Sequence, residues 1–99
     1  MVIVLLMIVN FADKETRKLY VDGYSKKFPQ EIIRKALLLL DLLDETSVVE
    51  DLGALGGRRL HKLSGELQGF WSISINKKWR IIFRFEDENA LDVRIIDYH

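Results

Sequence analysis

Residues 69–85 constrain the fold more than any other stretch, because apolar and polar residues alternate along them with a period of two. One set of alternate positions is apolar and comprises Trp71, Ile73, Ile75, Trp79, Ile81, Phe83 and Phe85. The opposite set comprises Ser72, Ser74, Arg80 and Arg84. Such alternation is typical of strands in a sheet that is covered on one face only. The stretch therefore predicts two antiparallel strands with an apolar back, which needs a cover, and a cationic front that is open to water.

The natural cover is a helix predicted from about Pro29 to Leu43 or Asp44, since proline is tolerated in the first helical turn. Its apolar residues recur at helical spacing and form one broad stripe, made of Ile32, Ile33, Ala36, Leu37, Leu39, Leu40 and Leu43. The outer positions of the helix are charged, at Glu31, Arg34, Lys35, Asp41 and Asp44. Leu38 and Leu42 also lie outside the stripe, four residues apart. They are candidate contacts for a partner protein, although two exposed leucines are also common on helices.

The N-terminal segment, about Val2 to Phe11, is almost wholly apolar and predicts a buried strand. Its apolar run is too short to span a bilayer, so no membrane association is expected. Met7 offers a second start, and residues 1–6 are interpreted as an N-terminal extension. Asp13 then predicts the N-cap of a short helix that Gly23 ends.

The C-terminal half predicts the remaining strands of the sheet. A glycine-containing connector, residues 46–57, leads to a short edge strand over residues 58–63. Asn76-Lys77 is predicted to be a two-residue hairpin loop. The last strand is predicted from Ala90 to Ile96, with Leu91, Val93 and Ile95 facing inward. The order β-α-α-β-β-β predicts a single α+β domain over residues 1–99, with two helices packed on one face of a mostly antiparallel sheet.

The charges are unevenly distributed, although the net charge of the chain is zero. Residues 58–84 contain seven Lys or Arg and one acidic residue. This basic block consists of Arg58, Arg59, Lys62, Lys77, Lys78, Arg80 and Arg84, with His61 among them. A local cationic surface attracts phosphates whatever the net charge of the protein. The alternative is an ordinary solvated face of surface Lys and Arg side chains.

The chain contains no cysteine and only two histidines, so neither a metal site nor a cofactor is expected. The candidate chemistry rests on His61, Lys62, Arg80, Arg84, Asp97, Tyr98 and His99. Cleavage of RNA through its own 2′-hydroxyl needs a base, an acid and a cation that stabilises the charged phosphorane. Histidine suits either proton role near neutrality, and arginine can hold two phosphate oxygens. From the residues alone, each of these side chains could equally be an ordinary surface group.

Ordered motifs in the C-terminal half carry a family resemblance. They are Leu60-His61-Lys62-Leu63-Ser64-Gly65, Gly69-Phe70-Trp71-Ser72-Ile73, Asn76, Trp79-Arg80-Ile81, Phe83 and the terminal Asp97-Tyr98-His99. A weaker likeness in residues 11–14 and 27–29 extends it over nearly the whole chain from Met7. In these features the chain resembles the HigB-type toxins of the RelE/ParE superfamily, which are also called plasmid-maintenance killer proteins.

The resemblance implies a microbial-RNase-like fold and a cytoplasmic toxin that cleaves mRNA on the ribosome without a metal and inhibits translation. It also implies a helix-turn-helix antitoxin of the HigA type as the partner. The catalytic residues that it implies are His61, Arg80, Asp97, Tyr98 and His99. Contacts to RNA are assigned to Arg58, Arg59, Lys62, Lys77, Lys78 and Arg84, and contacts to the antitoxin to Leu38 and Leu42.

Two departures from the family pattern predict weaker ribosome binding or slower cleavage. Ser64 stands where some members have a catalytic lysine, and the chain is neutral where the family tends to be basic. Lys62 is close to Ser64, but it lies on the other face from His61 if this stretch is extended.

In the mechanism that we hypothesise, Arg80 and Arg84 hold the phosphate and Tyr98 stacks on a base. Asp97 or His61 takes the proton of the 2′-hydroxyl, and His99 or His61 protonates the leaving group. Two other functions stay open, because a shared fold does not fix the function. One is a ParE-like inhibitor of DNA gyrase, and the other is a decayed toxin that retains only antitoxin binding. The two histidines favour the nuclease.

Overall fold

Two helices and one four-stranded sheet account for most of the chain that the computed structural model describes, which is residues 8–45, 60–87 and 89–97. The helices are α1 (Lys14–Asp22) and α2 (Gln30–Glu45), and a short 3-10 helix spans Gly65–Leu67. The strands are β1 (Leu60–Lys62), β2 (Trp71–Ser74), β3 (Trp79–Glu86) and β4 (Asn89–Asp97). The α+β class that the sequence predicts is confirmed.

The ends of α1 are set by the two residues that the sequence singles out. The Asp13 carboxylate accepts the N–H of Thr16 at 2.8 Å, as an N-cap does. Gly23 adopts a left-handed conformation with φ of 76°, and its N–H donates to the Leu19 carbonyl at 2.8 Å. Thr16 and Leu19 are buried. The Thr16 hydroxyl accepts the Ile95 N–H at 3.0 Å, which fixes α1 against β4.

The sheet is antiparallel throughout, in the order β1-β2-β3-β4. The N-terminal segment lies beside β4 and forms two parallel bridges, Ile8 with Ala90 and Phe11 with Val93. The predicted first strand is therefore described only from Ile8 onward. Its earlier part and the suggested extension at residues 1–6 lie outside the described residues.

Helix α2 covers the apolar back of the sheet, as the alternation requires. The core is formed by α2 and the strands β2, β3 and β4, with single residues from α1 and the connecting segments. Its buried residues are Ile8, Leu19, Phe28, Ile32, Ile33, Ala36, Leu39, Leu40, Leu43, Ile73, Ile75, Ile81, Phe83, Ala90, Val93 and Ile95. Each Val, Leu, Ile or Phe side chain among them contributes about 1.5–3 kcal/mol when it is fully buried. Leu37, predicted to face inward, is half-buried and packs against the core, whereas Leu42 was predicted near the outer face but also packs partly against the core.

Asp44 joins three separate parts of the fold, although its place in the sequence predicts only a charged outer position. One carboxylate oxygen accepts the Ile8 N–H at 3.0 Å, and the other accepts the Tyr20 hydroxyl at 3.0 Å. Burial and this carboxylate raise the pKa of Tyr20 above its usual value. The N-terminal segment, α1 and α2 are thereby tied together at one point.

A bulge in β4 corrects the predicted alternation of the last strand. Ile82 pairs with Arg94, but Arg84 pairs with Leu91, so β4 contains one extra residue between these pairs. Asp92, in the bulge, has φ of 53°. Val93 and Ile95 face inward as predicted, whereas Leu91 shares the face of Arg84 and the buried Ala90 takes the inward place. The predicted inward orientation of Leu91 was wrong, because a bulge reverses the side-chain alternation beyond it.

Within the described ranges, none of the helices is long and apolar enough to cross a membrane.

Candidate active site

Arg80 and His61 come together on the front of the sheet through Ser72, which lies between them. His61 on β1 is the cross-strand partner of Ser72 on β2. Directly opposite residues in such a pair have Cβ atoms about 5 Å apart. From the other side, Nη1 of Arg80 on β3 donates to the Ser72 hydroxyl oxygen at 3.2 Å. The structure thus places the guanidinium of Arg80 one strand from the exposed imidazole of His61.

The front of the sheet is less open than the alternation predicts. Ser72 and Ile82 are buried there, and Arg80 and Arg84 are half-buried. A half-buried guanidinium retains less competing water than an exposed one, so its interaction with an anion is stronger. The front is therefore a site at which two arginines are partly desolvated, rather than a fully solvated basic face.

The hairpin between β2 and β3 is built around Asn76 and shapes one end of this front. The Asn76 side-chain oxygen accepts the N–H groups of Lys78 and Trp79, both at 2.8 Å. The N–H of Ile75 donates to the Trp79 carbonyl at 2.8 Å, so the loop contains three residues, 76–78. The predicted two-residue loop was wrong, because the asparagine side chain caps a longer turn.

Asp97 lies on the other face of the sheet from Arg80. Its partner in the register is Trp79, which packs with the core and meets Phe28 edge-on at 5.8 Å between ring centroids. Cross-strand partners point to the same face, so the Asp97 side chain lies on the side of Trp79. There its carboxylate is 3.5 Å from Nζ of Lys78. The structure does not bring Asp97 beside His61.

Arg84 is held by carboxylates at the end of β3 that is farther from the hairpin. Its Nη2 is 2.7 Å from the Asp92 carboxylate, its Nε donates to the same oxygen at 2.9 Å, and its Nη1 is 3.4 Å from Glu86. Asn10 donates to Asp92 at 2.8 Å and also accepts the Asp92 N–H at 3.0 Å. The hydrogen bond from Asn10 and then that from Arg84 lower the pKa of Asp92. Arg84 thus has a structural partner in the bulge.

Lys62 and Ser64 follow His61 but occupy different surroundings. Nζ of Lys62 lies 5.5 Å from the ring centroid of Trp71, its cross-strand partner, so Lys62 is on the opposite face from His61. The sequence predicts this from an extended conformation, and β1 is extended here. Ser64 is exposed and precedes the 3-10 helix. Neither side chain reaches the front beside His61 through a contact in the described structure.

Three residues with a place at the site were missed by sequence reasoning about function. Ser72 and Asn76 are polar residues within the alternating stretch, but their hydrogen bonds depend on strand pairing, which the alternation alone does not specify. Lys35 on α2 lines an open cleft together with Arg80. The cleft has a volume of about 520 Å³ and is lined by Lys35, Ser74, Ile75, Asn76, Lys77 and Arg80. Its only signal in the sequence is a charged residue on the helix that was predicted to cover the sheet.

Several predicted site residues lie outside the described residues. These are Arg58 and Arg59 before β1, and Tyr98 and His99 after β4. On α2, Leu38 is 59% exposed and lines a groove of about 710 Å³ with Glu31, Arg34, Lys35, Leu37 and Asp41. No group of three or more His, Cys, Asp or Glu that could hold a metal ion occurs among the described residues.

Comparison with known proteins gives matches over nearly the whole chain. The family described as the RelE-like toxin of the type II toxin-antitoxin system HigB matches residues 9–99. The chain belongs to this toxin family. Endoribonuclease HigB of Proteus vulgaris is 30% identical over 95 residues, which are 94% of this chain and 100% of that protein. Toxin HigB-1 of Vibrio cholerae is 34% identical over 87 residues, which are 87% of this chain and 92% of that protein.

Membership of the HigB-like family confirms the resemblance that the motifs predict, and it implies an antitoxin partner. The matched range includes every strand and helix that the structure describes, so the site is part of the family domain.

Proposed function

We propose that this toxin is a ribosome-dependent endoribonuclease that cleaves mRNA and thereby inhibits translation. The observation that supports this most directly is the Arg80 guanidinium bound to Ser72 one strand from His61. A fixed cation and a titratable imidazole on one face are the two groups that phosphodiester cleavage needs most. The name of the Proteus vulgaris relative, an endoribonuclease, agrees with this assignment.

The proposed reaction uses the substrate's own 2′-hydroxyl and no metal. The 2′-oxygen attacks the adjacent phosphorus, a base removes its proton, and the bond from phosphorus to the 5′-oxygen breaks. A proton delivered to that oxygen completes the step, which leaves a 2′,3′-cyclic phosphate and a 5′-hydroxyl. Arg80 stabilises the additional negative charge on the phosphorane.

His61 is the stronger candidate for the base. It is exposed on the face of Arg80, whereas Asp97 is on the face of Trp79 and is close to Lys78. In our assignment His99 then supplies the proton to the leaving group and Tyr98 stacks on a base of the codon. In this assignment Asp97 transfers no proton, because its carboxylate is 3.5 Å from Nζ of Lys78.

The proposed partners are the ribosome, mRNA and a helix-turn-helix antitoxin of the HigA type, all in the cytoplasm. The basic residues that the sequence assigns to RNA, Arg58, Arg59, Lys62, Lys77 and Lys78, would contact RNA phosphates. The groove that contains Leu38 is our candidate for the antitoxin contact, because an exposed leucine between charged residues fits the edge of a protein interface. Leu42 can contribute only partly there, since it packs against the core.

The test is His61→Ala in a translating extract, with the 5′ ends of the mRNA mapped. Loss of the acid–base group should reduce cleavage by about 10²–10⁴-fold. Gln68→Ala is a matched control, because Gln68 is also exposed and lies between β1 and β2. Codon-phased cuts that disappear in the first variant and persist in the second support the proposal. Growth arrest with intact mRNA and blocked supercoiling would instead support an inhibitor of gyrase.

A further inference from the structure

The cleft between α2 and the β2–β3 hairpin is lined by cations that come from two separate parts of the chain. Lys35 projects from α2, Lys77 from the hairpin loop and Arg80 from β3. None of the described residues that line this cleft is a carboxylate. Glu31, one helical turn before Lys35, does not line this cleft, but it lines the groove on α2 with Lys35 and a separate pocket with Asn76 and Lys77. Three positive charges therefore converge on one open volume, and the described residues of its wall contribute no negative charge.

Lys35 and Lys77 differ in their surroundings from most of the other cations near the sheet. Lys78, Arg84 and Arg94 each lie within 4.0 Å of a carboxylate. In the described ranges, neither Lys35 nor Lys77 forms an ion pair. Lys35 is also half-buried, which increases the cost of a charge that has no counter-ion. An anion in the cleft would compensate both ammonium groups.

Asn76 adds a hydrogen-bond donor to the cleft wall. Its side-chain oxygen already accepts two backbone N–H groups of the hairpin, from Lys78 and Trp79. The amide NH₂ is then the part of this side chain that is available for a ligand, and it can only donate. A wall with two ammonium groups, a guanidinium and an amide donor suits a phosphate group and disfavours a cation.

Arg80 connects this cleft with the proposed site of cleavage. Its guanidinium has five N–H donors in a planar fork, and one nitrogen binds Ser72 beside His61. The same side chain lines the cleft. We propose that the cleft is a second phosphate subsite, which binds a backbone phosphate of the RNA next to the scissile one, and that Lys35 is a positioning residue in it. This inference rests on the proposed function and adds a residue of the covering helix to the RNA-binding surface.

The proposal requires that Lys35 and Lys77 contribute to RNA binding and not to the chemical step. In Lys35→Ala and Lys77→Ala, we expect about fivefold weaker binding of a short RNA with 2′-O-methyl groups, which cannot be cleaved. The slope of log K against log salt should fall by about 0.7 for each phosphate contact that is lost. In cleavage on the ribosome, KM should rise while kcat stays unchanged. Lys35→Arg should restore most of the affinity, because it retains the charge.

Lys18→Ala is the matched control, since Lys18 is an exposed helical lysine on α1 that does not line the cleft. Alanine is the best helix former, so neither helix is weakened by these changes. If Lys35→Ala binds the RNA as tightly and with the same salt slope as Lys18→Ala, the subsite is wrong. The affinity of Lys35→Ala decides this inference, whereas cleavage by His61→Ala decides the proposed function. If the unmodified protein binds the RNA but leaves mRNA intact, the nuclease proposal fails while the affinity comparison still decides the subsite.

Discussion

Arg80 and Arg84 lie on the same face of the same strand, four residues apart, yet the structure gives them different surroundings. Arg84 is clamped by Asp92 and Glu86 at one end of β3. Arg80, at the hairpin end, binds the neutral hydroxyl of Ser72 and faces a cleft with two lysines. The alternation in the sequence treats the two arginines as equivalent. Their neighbours show that Arg84 is engaged with two carboxylates, whereas Arg80 lines the cleft with the two lysines.

The difference arises from the bulge in β4 at one end and the Asn76 turn at the other. The bulge puts Asp92 into a left-handed conformation, where its carboxylate meets Arg84 and its N–H meets Asn10. At the hairpin end, the Asn76 side chain accepts backbone N–H groups, and the two lysines of the loop are exposed. Negative charge is thus concentrated at one end of the front and positive charge at the other. A phosphate is expected to bind only at the hairpin end.

The largest expected difference between the two arginines is in the rate of mRNA cleavage. Arg80→Ala should lower kcat by about 10²–10³-fold, as the loss of a donor that stabilises the charged transition state does. Arg84→Ala should change kcat by less than about threefold, because its guanidinium is engaged with Asp92 and Glu86. Both variants can be measured by the appearance of mRNA 5′ ends in a translating extract, after circular dichroism has shown that they are folded. Equal losses in the two variants would mean that both arginines hold the phosphate.

The second expected difference is in stability, where Arg84 should matter more than Arg80. Arg84→Ala should lower the free energy of unfolding by about 1 kcal/mol, because it removes a two-nitrogen contact to Asp92 at a side chain that is 38% exposed. Arg94→Ala is the matched control, since its nitrogen is 4.0 Å from Asp13 and its side chain is 48% exposed. We expect it to cost less than about 0.5 kcal/mol. Urea unfolding measures both, and equal costs would show that the Asp92 clamp adds no stability.

The elements that the sequence predicts are those that depend on local patterns. The period of two in residues 69–85, the stripe on α2 and the caps at Asp13 and Gly23 each involve neighbours within a few positions. These patterns give the class of the fold and identify the helix that covers the sheet. The bulge at Asp92 was missed because it depends on contacts with Asn10 and Arg84, which come from other parts of the chain.

The candidate site was predictable in its residue types but not in its arrangement. His61 and Arg80 were named from their chemistry and from the resemblance, and the register of the sheet places them on one face. Asp97 was named with them, but the same register puts its side chain beside Trp79. Lys35 was assigned to the outer positions of α2, because helical periodicity does not show where the hairpin of the sheet will lie. Long-range pairing determines these positions, and it is not visible in local spacing.

The smallest expected effect is a pH dependence of stability at the Arg84 end of the front. The hydrogen bond from Asn10 and the Arg84 guanidinium lower the pKa of Asp92 in the folded protein below its ordinary value of 3.8. A carboxyl with a lowered folded-state pKa stabilises the fold above its unfolded-state pKa, and this contribution is lost as the pH falls through the folded-state value. The wild-type protein should therefore exceed Asp92→Asn in stability by a constant amount between pH 5 and 7, roughly, and the difference should decline below about pH 4. Urea midpoints at several pH values measure this, with Glu66→Gln as the control, because Glu66 is an exposed carboxyl outside the network. A difference that persists unchanged at low pH would assign the effect of Asp92 to the geometry of the bulge rather than to its charge, and would remove the electrostatic contrast between the two ends of β3.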